Sequence, residues 1–451
     1  MCLATGGLAG NEPLEAWKAG IATVVITPEQ PMWMAGYASR TKPSEGKIHD
    51  LYAKALALED GQGTRLVIVA VDLIGFPREF RDRMEKEVGA RYKLPPEGLL
   101  LNASHTHSGP ELRAWRATQM WDLPPEQIEL SKQYSETLRG KLVELVGQAL
   151  ADLTPARLSY VYARTGFAMN RRLQGAKGYS IAPNVDGPVD HEVPVLQVLS
   201  ADGKKRRALM FGYACHNTTL SDYEFCGDYA GFAWRYVEEA HPGTTAFFIT
   251  GCGADQNPTP RRTLEWAQQH GRALSNAVEA ALLARPRPVR GPLKVALEEA
   301  MLELERPPSV EDLKKQASST TASLYERRHA EELLAELEKT GRVSSTYPYL
   351  VHVARFGDDL TMVGLAGEVV VDYSLRLKKE LAGPAVWVAG YTNEVSGYVP
   401  SRRVLEEGGY EARGAIVYYS TIPLPFTSSI ETLIVDKVHE LVRRTRTAAS
   451  Q

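Results

Sequence analysis

Short runs of apolar and β-branched residues recur along the chain, and they alternate with longer segments of helical periodicity. Runs of this length, bounded by turn residues, are typical of strands buried in a sheet. Two turn sequences between runs, Ala201-Asp202-Gly203 and Gly357-Asp358-Asp359, predict β-hairpins, because Asp and Gly tolerate the positive φ angles of a tight turn. The predicted strands are residues 20–27, 65–74, 98–104, 193–200, 207–214, 244–250, 351–357, 360–366 and 385–391.

Apolar residues recur every three or four positions in three segments, which therefore predict helices. Residues 126–152 form the first segment, and residues 309–340 form the second, which is so charged that we expect a helical excursion on the surface. The third segment follows Ser428-Ser429, and its apolar stripe consists of Ile430, Leu433, Ile434, Val438, Leu441 and Val442.

Hairpins mixed with helices predict one α/β unit with mixed strand pairing, and argue against a purely parallel doubly wound sheet.

Composition argues against several classes of protein. The 451 residues are 44% hydrophobic and 24% charged, which is typical of a globular protein. With 52 Lys and Arg against 55 Asp and Glu, the net charge of -3 argues against a nucleic-acid partner. No run approaches the ~18 apolar residues of a transmembrane segment. The N-terminus lacks the basic and apolar regions of a signal peptide, although an exported protein trimmed of that peptide would look the same. Compartment and oligomeric state stay open.

Two histidines lie one residue apart in residues 98–112, GLLLNASHTHSGPEL, where a predicted strand ends. Residues two apart on a strand point to one face, so His105 and His107 can face a common point. Imidazole nitrogen is a good zinc ligand, and two of them make half of a tetrahedral site. The alternative is a pair of half-exposed polar residues in a turn.

Two further predicted strands end in residues that could complete such a site. The run RALMFGYAC ends at His216, and the run LTMVGLAG ends at Glu368. Taken alone, His216 could be a structural histidine, and Glu368 could be a first-turn glutamate favoured by the helix dipole. The remaining candidates, His270, His329 and His439, fall in helical segments, where we expect solvent exposure.

The segment His105-Thr-His107-Ser-Gly-Pro resembles the H-T-H-S-G-P signature of the neutral ceramidases, zinc-dependent amidases that release fatty acid from ceramide. The resemblance implies a mixed α+β fold, with stacked mixed β-sheets flanked by helices, and a sphingolipid or related lipid substrate. Other blocks that resemble the family are residues 19–40, 51–60 and 169–172, ACHNTTL (214–220), LAGE (365–368) and YTNEVSGYVPS (391–401).

The resemblance also implies roles for individual residues. One Zn²⁺ per chain would be held by His105, His216, Glu368 and Tyr398. Around the scissile carbonyl, His107 would carry protons, Arg171 would hold the developing negative charge, and Tyr410 would contribute a hydroxyl. Three of these residues have alternative interpretations: Arg171 and Arg172 could be a surface basic pair, Tyr398 could pack in the core, and Tyr410 could be an ordinary loop residue.

The chain departs from the family pattern at two points. Asn257, in Asp255-Gln-Asn257-Pro-Thr, stands where the ceramidases carry a serine that handles the substrate. Asparagine cannot act as a nucleophile, but it can hydrogen-bond a carbonyl or water, so we retain it as a candidate catalytic residue. The chain also stops soon after the helix predicted in 427–448, so we expect a single catalytic domain over residues 1–451 without the family's C-terminal immunoglobulin-like domain.

These observations favour a zinc-dependent hydrolase that cleaves a linear amide, an N-acyl lipid or an N-acyl amino compound, by metal-activated water. Two alternatives use the same site: an esterase or other acyl hydrolase, and a catalytically silent ceramidase-like binding protein, which the missing serine would explain. An amidohydrolase barrel could also place an H-x-H motif on a strand, but the hairpins and the lack of eight βα units count against it.

Overall fold

The computed structural model describes residues 17–113, 123–381, 383, 385–419 and 421–446. The strands are β1 (Trp17–Val25), β2 (Gly46–Lys47), β3 (Tyr52–Glu59), β4 (Arg65–Val71), β5 (Leu99–Ala103), β6 (Thr154–Arg164), β7 (Ala168–Gly175), β8 (Gly178–Asn184), β9 (Glu192–Ser200), β10 (Arg206–Tyr213), β11 (Glu224–Phe225), β12 (Thr245–Thr250), β13 (Gln256–Pro258), β14 (Arg287–Val289), β15 (Leu293–Glu303), β16 (Thr346–Phe356), β17 (Leu360–Leu365), β18 (Glu368–Val369), β19 (Ala385–Ala389) and β20 (Tyr398–Val399). The helices are α1 (Arg78–Tyr92), α2 (Pro125–Ala151), α3 (Asp228–Ala240), α4 (Leu264–Leu282), α5 (Val310–Ala317), α6 (Leu324–Thr340), α7 (Val371–Glu380), α8 (Arg402–Glu407) and α9 (Ile430–Arg444).

Two mixed sheets form the centre of the fold. The larger has the strand order β12-β10-β9-β6-β1-β3-β4-β5, with β14 added against β6, and its pairs are antiparallel except β10 with β12 and β4 with β5. The smaller has the order β15-β16-β17-β19, in which only β17 and β19 are parallel. Both predicted hairpins are present, as β9–β10 and β16–β17. The mixed strand pairing predicted from the sequence is therefore confirmed.

Successive residues of a strand point to opposite faces of its sheet, and in these sheets both faces are apolar. One face of each sheet therefore packs on the other sheet, and the opposite face packs on helices. In β3, Leu56 and Leu58 face the smaller sheet, and the alanines between and before them face α1 and α2. The small alanine face lets α2 approach closely. A Cβ on Gly20 of β1 would lie 2.0 Å from the carbonyl oxygen of Ala149, so only glycine fits at that contact.

Helices cover the outer faces of both sheets. On the smaller sheet, Val351 and Val353 pack towards α7 and α9, and Ile434 of α9 is fully buried among them. On the far half of the larger sheet, α3 and α4 pack on Phe211 and Phe248. The result is a mixed α+β fold of four layers, helices–sheet–sheet–helices, which confirms the expected stacked sheets flanked by helices.

The helical predictions are confirmed with one change of detail. Residues 309–340 form two helices and not one, because Ser323 and Glu326 form a capping box that starts α6 anew. This excursion lies on the surface, and it buries only Leu313, Ala330 and Leu333. Within the described ranges, no helix combines the length and the apolar run needed to cross a bilayer. The assignment of the whole chain to one catalytic domain stays a prediction.

We expect the contact between the sheets to dominate stability. Trp387 of β19 is 1% exposed and packs among residues of both sheets, so Trp387→Ala should lower the free energy of unfolding by ~3–5 kcal/mol. Urea denaturation measures this change. Leu283→Ala, at a side chain that is 90% exposed, is the control and should shift the free energy by less than ~0.5 kcal/mol. Equal effects of the two substitutions would contradict the assignment.

Candidate metal centre

The candidate site lies where strand ends of the two sheets meet. Asn102, near the end of β5, is fully buried and joins three strands at this point. Its Oδ1 accepts a hydrogen bond from the Thr250 amide at 2.9 Å, and its Nδ2 donates to the Gly390 carbonyl at 2.8 Å. The loops that follow β5, β10, β17 and β19 therefore converge, and each carries a predicted site residue.

His105 reaches the site through its backbone conformation and not through strand alternation. Strand β5 ends at Ala103, and His105 has a φ of 58°, in the left-handed region that residues other than glycine seldom adopt. Its amide donates to the Leu73 carbonyl at 2.9 Å, and its Nδ1 lies 2.6 Å from the Ile74 carbonyl. The expectation that His105 and His107 share the face of a strand was wrong, although the two rings do meet.

In their neutral forms, His105 and His216 both present an unprotonated nitrogen to the site. His216 Nδ1 lies 2.8 Å from the Gly253 carbonyl, in the same arrangement as His105 with Ile74. A carbonyl oxygen can only accept, so each Nδ1 carries the proton and each Nε2 carries a lone pair. Burial, together with nearby Arg171, lowers the pKa of His216 to about 4, which leaves this imidazole neutral near pH 7.

Glu368 completes a cluster of three lone-pair atoms. Its Oε2 lies 3.2 Å from His105 Nε2 and 3.1 Å from His216 Nε2, and its Oε1 accepts a hydrogen bond from the Tyr419 hydroxyl. Among the described residues, Glu368 Oε2 and His216 Nε2 are buried atoms without a hydrogen-bond partner.

His107 adds a third imidazole. Its Nε2 lies 3.3 Å from His105 Nε2, and the ligand nitrogens of His105, His107 and His216 all lie within 4.8 Å of one another. Burial lowers the pKa of His107 well below its ordinary value, and its Nδ1 has no hydrogen-bond partner. Gly36 makes room for this ring, because a Cβ there would lie 2.5 Å from it.

The donor set fits a divalent cation. Imidazole nitrogens and a carboxylate oxygen are the ligands that zinc takes in hydrolases, and His105 and His216 are each oriented by a carbonyl behind the ring. Without a cation or a proton between them, three converging lone pairs would repel one another. The unpartnered buried atoms of Glu368 and His216 are explained by an ion at that point.

Arg171 is fixed by three different side chains. Its Nε donates to Glu411 Oε1 at 2.8 Å, its Nη1 to Asn257 Oδ1 at 3.2 Å, and its Nη2 to the Tyr398 hydroxyl at 2.9 Å. Arg172 is also buried and donates to the other oxygen of Glu411 at 2.6 Å. The alternative of a surface basic pair is therefore wrong.

Tyr398 and Tyr410 lie beside this network. Tyr398 is paired in register with Glu368 through β18 and β20, and its ring stacks at 6.5 Å on that of His216. Tyr410 packs edge-on against Tyr398, with ring centroids 5.4 Å apart. Among the contacts of the described residues, none joins the Tyr398 hydroxyl to His105 or Glu368, so its place as a metal ligand stays a prediction, as do the other assigned roles.

The sequence of residues 17–257, more than half of the chain, matches the N-terminal domain of the neutral/alkaline non-lysosomal ceramidases. The chain belongs to this family. No curated protein matches it in sequence. A solved structure of a ceramidase complexed with C2 is 19% identical and has a TM-score of 0.73, over 96% of this chain and 76% of the other. The solved structure of the neutral ceramidase from Pseudomonas aeruginosa is 20% identical and has a TM-score of 0.72, over 96% of this chain and 75% of the other. These two likenesses establish the fold.

Some features of this ceramidase-family site escape prediction from the sequence. Tyr419, which donates to Glu368, has no motif around it in GAIVYYST. Glu411 follows Tyr410 as in the family, but its bond to Arg171 could not be read from spacing. His270, expected to be exposed, is buried: its Nε2 lies 2.6 Å from the Pro260 carbonyl, and its ring stacks on Phe167.

Tyr419 should hold Glu368 in its ligating orientation. We expect Tyr419→Phe to weaken zinc affinity ~10–100-fold, because partners behind the ligands fix their geometry. Titration of the metal-free protein with zinc against a competing chelator measures this. Tyr418→Phe is the matched control, since the Tyr418 ring packs on Tyr325, and it should leave the affinity unchanged. Unchanged affinity in both variants would remove Tyr419 from the site.

Proposed function

We propose that this ceramidase-like hydrolase depends on zinc and cleaves a linear amide, an N-acyl lipid or an N-acyl amino compound. One observation carries the proposal: His105 Nε2, His216 Nε2 and Glu368 Oε2 converge within hydrogen-bonding distance, although with both imidazoles neutral none of the three atoms carries a proton to share. Membership of the ceramidase family supports the amide as the reacting bond.

His105, His216 and Glu368 would hold one zinc ion per chain, with the Tyr398 hydroxyl as the fourth ligand. Bound zinc supplies the Lewis acidity that makes water nucleophilic near neutral pH. Asn257 takes no covalent part, so the acyl carbon is attacked by water directly. Asn257 Oδ1 accepts from Arg171 and from Thr218 Oγ1, which leaves its Nδ2 to donate to the substrate.

Arg171 would hold the negative charge that develops on the carbonyl oxygen. Its guanidinium is fixed by Glu411 and Asn257 before substrate arrives, so no reorganisation is needed when the charge appears. The Tyr398 hydroxyl accepts a hydrogen bond from Arg171 and therefore lies next to its guanidinium. Tyr410, against Tyr398, contributes a second hydroxyl near the reacting group.

His107 would transfer the proton. Its ring is neutral because burial lowers its pKa, and its Nε2 faces the metal centre, where it can accept a proton from the attacking water. Passing this proton to the leaving nitrogen makes the amine a good leaving group. The Tyr37 ring, 4.8 Å away, and the close backbone of Gly36 hold the imidazole in place.

A small cavity of about 30 Å³ lies next to Tyr398, and most of its lining side chains are apolar. An acyl chain would enter by spreading these side chains, whose aliphatic and aromatic surfaces favour a hydrocarbon chain over a polar group. The cavity lining includes Tyr398, Tyr410, Tyr419, Ile416, Ile422, Leu424, Pro425 and Phe426.

Metal content and turnover separate the proposed roles. Purified protein should contain about one zinc per chain. His216→Ala should lose metal and amidase activity together, because one of the proposed metal ligands is removed. Arg171→Ala should keep the zinc and lower kcat by ~10²–10³. His439→Ala, a histidine on the surface of α9 paired with Glu380, is the control. Loss of zinc in the Arg171 variant would show that its role is misassigned.

A substrate panel tests the reaction itself. Zinc-loaded protein should release fatty acid from N-acyl amides, and a chelator should abolish the release. Cleavage of the matched esters alone would assign an esterase to the same site. Zinc-loaded protein that binds amides but cleaves neither amides nor esters would be a binding protein.

A further inference from the structure

Three arginines gather on the His107 side of the metal centre; we call Arg40, Arg261 and Arg262 the arginine rim. The Cζ atoms of Arg40 and Arg262 lie 5.0 and 5.6 Å from the centroid of the Tyr37 ring. The third, Arg261, donates from Nη1 to Thr218 Oγ1 at 3.4 Å. Arg262 is exposed and Arg261 is half-buried, so both can meet a ligand from solution.

The charge of the arginine rim is not neutralised within the described part of the chain. No Asp or Glu among those residues forms an ion pair with Arg40, Arg261 or Arg262, whereas the other buried arginines, such as Arg171 with Glu411, are paired with carboxylates. Arg40 is 4% exposed, and among the described residues its side chain donates only to the carbonyls of Ala35 and Asp222.

The nearest acidic groups, Asp222 and Asp228, form no ion pair with the rim within the described residues, although the charge of Asp222 acts on Arg40 from a distance. The Asp228 carboxylate already accepts from the amides of Leu220 and Tyr229, and Asp222 meets Arg40 through its backbone oxygen. The Nε atom of Arg40 is buried and has no partner. Like charges held together without a counter-charge are unfavourable, and such clusters are typical of sites that bind an anion.

The arginine rim and the apolar cavity reach the metal centre through different residues. The rim does so through Tyr37, whose ring contacts His107, and through Thr218, which donates to Asn257. The cavity does so through Tyr398 and Tyr419. An extended amide across the centre, with its acyl chain directed towards the apolar side chains around the cavity, would direct its amine half towards the rim.

We infer that the amine half of the substrate carries an anionic group, a carboxylate or a phosphate. The inference rests on the proposed amidase function and narrows it to N-acyl amino acids or N-acyl aminoalkyl phosphates over neutral N-acyl amino alcohols. Hydrolysis breaks the C–N bond: the acyl carbon gains the hydroxyl of water, and the nitrogen gains its proton. Guanidinium suits either anion, because its paired donors match two oxygens of a carboxylate or phosphate.

Three amides with the same lauroyl chain test the inference: N-lauroylglycine, N-lauroyl-O-phosphoethanolamine and N-lauroylethanolamine. At least one anionic amide should show a kcat/KM about tenfold or more above the neutral one, as expected for a charge-assisted hydrogen bond. Arg262→Gln should bring the ratio of anionic to neutral kcat/KM towards one, mainly through KM. Arg290→Gln, an exposed arginine beside Asp359, should keep the wild-type ratio.

Calorimetric binding of the same three compounds decides the inference independently of turnover. Tighter binding of the carboxylate alone identifies an amino acid, and tighter binding of the phosphate alone identifies a phosphoryl head group. Equal or tighter binding of N-lauroylethanolamine, or an unchanged preference in Arg262→Gln, would overturn the inference while leaving the amidase proposal intact. Cleavage of none of the three, with the anionic preference in binding retained, would contradict the amidase proposal and leave the anion site standing.

Discussion

The site depends on one electrostatic constraint: a buried carboxylate oxygen of Glu368 faces the unprotonated nitrogens of two imidazoles. Carbonyls behind His105 and His216 fix this tautomer of the neutral rings, so neither neutral ring can relieve the repulsion with a proton of its own. A divalent cation turns the repulsion into three attractions. The left-handed backbone of His105 and the fixed carboxylate of Glu368 are then explained as parts of a preorganised site.

The stacked sheets make this constraint possible, because the ligands come from both. His105 and His216 follow strands of the larger sheet, and Glu368 follows a strand of the smaller one. An ion bound by all three would tie the sheets together at the edge where Asn102 already links them. Metal binding would therefore favour the folded state directly, since the unfolded chain cannot assemble these ligands.

Local patterns predict the fold and the motifs of the site, but not the contacts between distant segments. Apolar runs and turn residues locate most strands of the two sheets and both hairpins, whereas β3, β6, β14 and β15 are absent from the predicted strands. In β15, LKVALEEAMLE carries charged residues and alanine that favour a helix. The H-x-H motif identifies His105 and His107, yet their meeting depends on a positive φ that no spacing encodes. Tyr419 and the arginine rim are assembled by tertiary structure alone.

Asn257 shows how such assembly bears on chemistry. In place of a serine hydroxyl, its amide oxygen accepts from Arg171 and Thr218, and Thr218 in turn accepts from Arg261. Asn257 therefore joins Arg171, the arginine proposed to hold the developing charge, to the arginine rim. The asparagine at this position and the proposed preference for an anionic substrate would then belong to one rearrangement of residues 255–262, with attack by water as the route compatible with both.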